Sequence, residues 1–179
     1  MVDTIRTMAA LQSLWADNTT ADISPQDGRD VIVSSMTGGY GLIYVTGGST
    51  EQTSIGTTDV LLTAFTSDSG ADSGCTETAA SDRITLDRAG KWLVLFQCDI
   101  LPSAASEVLT FTIRYDGSLT NYKGQVRTLD TTYHRVAIFA IVASTGANEG
   151  VEVYVKSGNG SGTGITVAEA QLAVVRIGE

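Results

Sequence analysis

The stretch ITLDRAGKWLVLFQCDIL, residues 84–101, decides the fold class. Ile84 and Leu86 alternate with polar residues, and Ala89-Gly90 forms a tight turn after them. Beyond the turn, apolar side chains recur at every second position: Trp92, Val94, Phe96, Cys98 and Ile100. Because successive side chains of a strand point to opposite faces, this period of two predicts a long strand with one buried face.

Two of the predicted strands carry apolar residues on both faces. The second face of the strand at residues 92–100 is apolar at Leu93 and Leu95 and polar at Gln97 and Asp99. Residues 134–143 are apolar at nearly every position, which is typical of a strand covered on each side. In so short a chain, we expect one of these faces to meet another subunit.

Further strands follow from alternation and turn residues. Residues 109–115 alternate before the Asp116-Gly117 turn, and Glu169 and Gln171 indicate a bulge or an exposed stretch in the last strand. The other predicted strands are residues 41–45, 59–65, 125–129, 151–156 and 165–177, with a polar linker at about 46–57 and a long polar loop at 67–81. About eight strands without crossover helices predict an all-β antiparallel sandwich and exclude a parallel α/β sheet.

The N-terminal residues show helical patterns instead. Ile5, Met8, Leu11 and Trp15 recur at helical spacing, and Ser24-Pro25-Gln26-Asp27 is typical of a helix start. Two short helices are marginal in water on their own, so they must pack on the rest of the chain, on sister subunits or on a partner. The predicted organisation is a helical attachment segment (1–40), a strand and linker (41–57) and a β domain (58–179).

The composition and the motifs disfavour several function classes. A net charge of −9 argues against a nucleic-acid surface, and no apolar run is long enough for a membrane span. His134 is the only histidine and has no G-x-S-x-G motif beside it. Cys75 and Cys98 are predicted to be free thiols. We therefore predict a non-enzyme with no catalytic residues, no metal site and no cofactor.

The β region resembles a known family. Residues 84–101, LTFTIRYDG at 109–117 and ITVAEAQLAVVRIG at 165–178 are similar to strands of the tumour-necrosis-factor-like jelly roll, which complement globular heads share. The resemblance covers about residues 58–179 and departs from the usual Gly-Asp turn at residues 146–150. It implies a homotrimer whose inner sheets pack around a threefold axis. The residues expected in the trimer contact or the core are Trp92, Phe96, Phe111, Tyr115 and Phe139.

The N-terminal segment resembles a different group of proteins. ALQSLWADNTTADISPQDGRDVIVSS, residues 10–35, is similar to a short segment near the start of bacteriophage virion proteins, especially fibres and other exterior appendages. Gly28 departs from the bulkier apolar residue often found there. The resemblance implies an exterior virion protein, made in the host cytoplasm, that binds other capsid or tail proteins through this segment. The residues expected in attachment are Leu14, Trp15, Ile23, Pro25 and Arg29.

The resemblances leave several functions open. The favoured one is a trimeric phage structural protein, either a capsid decoration protein or head fibre or a tail fibre tip, with a host-cell glycan or protein as a further partner. The alternative is a virion-associated protein that binds or degrades glycans. A secreted ligand of the jelly-roll family is disfavoured, since the N-terminus lacks the pattern of a signal peptide.

Overall fold

The computed structural model describes residues 38–45, 50–158 and 162–178, of which residues 39–178 belong to one compact unit. Within these ranges the chain forms strands and one short 3-10 turn, Ala79–Ser81. The strands are β1 (Tyr40–Tyr44), β2 (Thr50–Ile55), β3 (Val60–Leu61), β4 (Ser67–Asp68), β5 (Cys75–Thr78), β6 (Arg83–Leu86), β7 (Ala89–Pro102), β8 (Val108–Tyr115), β9 (Ser118–Arg127), β10 (His134–Thr145), β11 (Glu149–Ser157) and β12 (Thr163–Gly178).

The strands form two six-stranded antiparallel sheets. The first sheet has the order β10-β7-β12-β1-β4, with β2 also pairing with β12. The second sheet has the order β5-β6-β11-β8-β9, with β3 also pairing with β11. The predicted all-β antiparallel sandwich is therefore confirmed for the described residues. The predicted N-terminal helices, with Leu14, Trp15, Ile23, Pro25 and Arg29, lie outside them.

The core lies between the two sheets and follows the alternation seen in the sequence. All five apolar residues of one face of β7, from Trp92 to Ile100, are buried. Phe96 of the first sheet meets Phe111 of the second, with ring centroids 6.0 Å apart. Fully burying a side chain of this size contributes roughly 1.5–3 kcal/mol of transfer free energy, so this layer of contacts is the main force that holds the sheets together.

The register gives the sandwich two distinct ends. Gly39 lies beside the C-terminal end of β12, where its carbonyl accepts a hydrogen bond from Arg176 N at 2.7 Å. The turns at residues 87–88, 116–117 and 146–148 lie at this end, which we call the base. The loops at residues 56–59, 103–107 and 128–133 lie at the opposite end, which we call the distal end.

The polar stretches contain more structure than the sequence predicts. The stretch predicted as a linker holds β2, whose backbone pairs with β12 and whose Gln52 side chain donates to Leu61 O at 2.7 Å. The predicted loop at 67–81 holds β4, β5 and the 3-10 turn. Of the six residues of β2 only Ile55 is buried, so the strand is held by backbone pairing and has no alternating apolar face. The period of two therefore missed these strands.

Two predicted strands have different extents. Of residues 59–65 only Val60–Leu61 forms a strand, because the Asp82 carboxylate accepts the backbone amides of Ala64 and Phe65, both at 2.9 Å. Ala64 and Phe65 are therefore buried although they lie beyond the end of β3. Residues 125–129 are not a separate strand, since β9 runs unbroken from Ser118 to Arg127 and residues 128–129 belong to the loop after it.

Candidate functional site

The outward side of the first sheet is unusually apolar for a surface exposed to water. We call the outward-facing side chains of β10, β7, β12 and β1 the outer face. Phe139 of β10 is 72% exposed there, although its neighbours Ile138 and Ala140 point into the core. The other large exposed apolar residues of this face are Tyr40, Leu95, Ile141, Val175 and Ile177. A contiguous apolar patch on a water-soluble domain is typical of an interaction surface.

The strand register arranges the apolar side chains in two rows across the sheet. One row runs from Phe139 through Leu95 and Ala173 to Leu42. The next row, nearer the base, is Ile141, Leu93, Val175 and Tyr40. Cross-strand neighbours have Cβ atoms about 5 Å apart, so each row is a continuous apolar strip that crosses four strands.

Toward the distal end the same face becomes polar. Gln97 donates a hydrogen bond to Gln171 across β7 and β12 at 3.0 Å. One step further, Arg135 donates from Nε and Nη2 to the two carboxylate oxygens of Asp99, both at 2.6 Å. The hydrogen bonds from Arg135 hold the pKa of Asp99 below its usual range. These side chains and Glu169 line an open cavity of about 550 Å³.

A bulge in β12 brings Glu169 to this cavity. The register between β12 and β7 shifts between Val167 and Glu169, as the sequence indicated at this position. The extra residue, Ala168, lets Val167 stay buried while Glu169 emerges on the outer face. Bulges commonly redirect a side chain in this way. Asp99 has the larger effect in raising the pKa of the Arg135 guanidinium, and the negative charge of Glu169 raises it further.

The site residues predicted from the sequence lie in two different places, the core and the outer face. Trp92, Phe96 and Phe111 are buried between the sheets. Tyr115 is half-buried against the core, and its hydroxyl donates to Ala143 O at 2.8 Å. Phe139 lies on the outer face. Sequence reasoning did not single out Leu95, Arg135 or Asp99 as site residues, although the two-sided pattern of β7 and β10 was the signal for them.

A second exposed apolar feature lies at the distal end, in the loop between β9 and β10. Leu129 is 76% exposed and Tyr133 is 63% exposed. Buried Thr128 anchors the loop, because its backbone N donates to Glu107 O at 2.9 Å and its hydroxyl accepts from Glu107 N at 3.0 Å. Asp130 closes the turn by accepting from Thr132 N at 3.0 Å. The loop therefore presents its apolar side chains from a hydrogen-bonded frame.

The groups that could act in catalysis or metal binding are dispersed or buried. His134 Nε2 lies 3.4 Å from Asp130 Oδ1 at the surface of the distal end. Burial raises the pKa of the Cys75 thiol to about 12 and also raises that of Cys98. Neither is a thiolate nucleophile at neutral pH. Across the described ranges, no three His, Cys, Asp or Glu side chains are grouped to hold a metal, and no helix is long and apolar enough to span a membrane.

Comparison with known proteins identifies the fold. The globular domain of zebrafish complement 1qA protein matches at a TM-score of 0.55 and 11% identity, covering 78% of this chain and 96% of that one. The chain has a TNF-like jelly-roll fold. Eiger TNF from S. frugiperda matches at a TM-score of 0.57 and 10% identity, covering 80% of this chain and 94% of that one.

The same jelly roll occurs in a vertex protein. PRD1 vertex protein P5 matches at a TM-score of 0.52 and 12% identity, covering 78% of this chain and 96% of that one. No protein-family model and no curated protein matches the sequence. At identities this low, the similarity establishes the jelly roll alone, and function must be argued from the surfaces of this chain.

Proposed function

We propose that this chain is a bacteriophage virion structural protein, a homotrimeric exterior component that attaches through its N-terminal segment and displays its jelly roll outward. The observation that carries the proposal is the exposure of the outer face, whose two apolar rows are in contact with water in a single chain and would be buried by a second copy. The fold shared with a vertex protein and the phage-like segment at residues 10–35 support the virion location.

The distribution of charge favours contact between copies at the outer face. The chain carries a net charge of −9, so most of its surfaces repel a second copy. On the outer face, Lys91 and Arg135 balance Asp99 and Glu169. Two copies can therefore approach there without net repulsion, and the apolar rows then lose their contact with water. Head-to-tail contacts of this kind close into a ring when the rotation between copies is 120°.

The two ends of the sandwich suit a divided role. β1 begins at the base, and the predicted attachment segment precedes it in the chain, which suits a segment that attaches the trimer to a particle. The loops of the distal end are at the opposite end, and loops on a rigid scaffold are the usual place for recognition. Three attachment segments on one trimer would multiply the affinity of each for a multivalent shell.

Two placements on the particle fit this arrangement. A capsid decoration protein or head fibre would contact capsid subunits, and a tail fibre tip would contact the host cell. Electron microscopy of phage that carry a tagged copy separates the two placements. We expect the label on DNA-filled heads that lack tails if the protein decorates capsids, and on tails if it is a fibre tip. Purified virions without any label would contradict the proposal.

The distal loop favours glycan or protein binding as an additional role for a fibre tip. Tyr133 offers an aromatic ring that can stack on a sugar, and Leu129 extends the apolar contact. Binding of purified protein to host cells should fall in the variant Tyr133→Ala and persist in Tyr122→Ala, an exposed tyrosine of β9. Equal binding by both variants would exclude this loop from recognition.

A further inference from the structure

Phe139 stands at the margin of the outer face and points into solvent. It belongs to β10, the terminal strand in the order of the first sheet, and it is the most exposed large residue of that face. Aromatic side chains bury roughly 150–250 Å² each in cores and interfaces. This ring is therefore the largest single apolar group that the face can offer to a partner.

A recess lies beside Phe139 on the same face. Its volume is about 300 Å³, and its lining is mostly apolar. The small residues Ala137 of β10 and Ala173 of β12 lie on either side of β7 here and leave the space open, and Leu95 and Phe139 are the larger apolar side chains of its lining. Phe139 forms one wall of the recess and does not fill it. The space is large enough to receive a phenyl ring from outside.

The ring and the recess lie at the same height along the strands. Phe139 pairs with Leu95, and Leu95 pairs with Ala173, so all three belong to one row across the sheet. A rotation about an axis parallel to the strands keeps every atom at its height. A copy related by such a rotation therefore brings its Phe139 level with the recess of its neighbour.

We propose that Phe139 of each copy inserts into the recess of the next copy, beside Leu95, Ala137 and Ala173. This inference rests on the homotrimer proposed above and names the contact that holds it together. Because the ring and the recess are different parts of one face, each copy donates one ring and receives one. Three such contacts close a threefold ring with no ring or recess left over.

A cycle of substitutions tests the contact. Phe139→Ala removes the ring, and Ala173→Phe fills the recess from within the same chain. Each single variant should weaken the trimer, raising the concentration at which it dissociates by about tenfold or more, as expected when an interface loses a buried aromatic anchor. The double variant should dissociate at a lower concentration than either single variant, because the phenyl group at position 173 occupies the recess that the missing ring would have filled.

Controls separate this inference from the trimer itself. Ile177→Ala removes an exposed apolar group of the same face outside the recess and should have a smaller effect than Phe139→Ala. Circular dichroism should show folded protein for all variants, since the side chains at 139 and 173 point outward. Strictly additive effects, or a trimer as tight as the parent in every variant, would overturn the ring-in-recess contact while leaving the trimer intact. A monomeric parent protein would instead overturn the proposed function.

Discussion

Arg135 and Asp99 face each other across β10 and β7 and form a two-pronged ion pair, with both N···O distances at 2.6 Å. The pair lies on the outer face, and the Arg135 side chain is largely exposed in a single chain. An exposed ion pair contributes roughly 0–1 kcal/mol to stability. The same pair becomes important if a second copy covers it, because a lone charge left in a buried interface is costly.

The ion pair gives the first prediction. Arg135→Gln should leave the folding of the chain nearly unchanged but weaken the trimer by about tenfold or more, since Asp99 loses its partner in the covered interface. Analytical ultracentrifugation over a dilution series measures this change. The matched control is Lys156→Gln. It also removes one positive charge from an ion pair, here the pair with Asp59, but Lys156 belongs to β11 of the second sheet. Equal trimer stability in the two variants would place Arg135 outside the interface.

The contact between Gly39 and Trp92 gives the second prediction. A Cβ atom at Gly39 would overlap Cη2 of the buried indole, whose Nε1 donates to Arg88 O at 3.1 Å. Gly39→Ala should therefore lower the free energy of unfolding by about 1–3 kcal/mol through overpacking. Gly38→Ala is the control, since a Cβ there meets nothing within 4 Å. Urea unfolding should separate the two variants, and matching midpoints would contradict the contact.

Glu149 gives the third prediction. Its carboxylate accepts from Ser144 Oγ at 2.8 Å, from Thr145 N at 2.9 Å and from Ala147 N at 3.1 Å, which closes the turn between β10 and β11. Burial raises the pKa, but these hydrogen bonds outweigh it and lower the pKa from 4.5 to about 2. The folded state thus favours the ionised form. Its contribution to stability is complete above about pH 4.5 and is lost as the pH falls toward 2.

Glu149→Gln should accordingly destabilise the protein at neutral pH by about 2–3 kcal/mol, because an amide cannot accept all the hydrogen bonds that the carboxylate accepts. The variant should also lose part of the decline in stability between pH 4.5 and 2. Urea unfolding at several pH values measures both effects. Glu152→Gln, whose carboxylate lies 3.9 Å from the Arg83 guanidinium, serves as the control. A parent and a Glu149→Gln variant with the same pH profile would refute this role for the carboxylate.

The attachment segment gives the fourth prediction. Deletion of residues 1–36 should leave a folded trimer, because the described strands and the outer face begin after this segment. The truncated protein should no longer join particles. Co-sedimentation with phage heads or tails that lack the protein measures incorporation, with the full-length chain as the control. Incorporation of the truncated protein at the full-length level would show that attachment lies elsewhere.

The sequence predicts the central strands well because their side chains experience two different environments. Trp92 and Phe96 alternate with Leu93 and Leu95 along β7, and the structure places the first pair in the core and the second on the outer face. The same logic on β10 led to the expectation of a covered second face. The period of two thus indicated the fold, and the apolar residues on the second face of β7 and β10 indicated the location of the candidate interface.

The parts that the sequence could not predict depend on contacts between distant residues. Thr50–Ile55 reads as a polar linker, yet it pairs with β12, more than a hundred residues later in the chain. Asp82 holds the amides of Ala64 and Phe65 by hydrogen bonds that no local pattern encodes. The pairing of Arg135 with Asp99 depends on the register between β10 and β7, which emerges only when the whole sheet forms.

The mass of the protein in solution tests the central claim of self-association most directly. Size-exclusion chromatography with multi-angle light scattering should give about 56 kDa, three times the 18.7 kDa of one chain. This mass should persist on dilution into the low micromolar range. A stable species at 18.7 kDa that remains folded would contradict the account, since the outer face would then be exposed to water in the native protein.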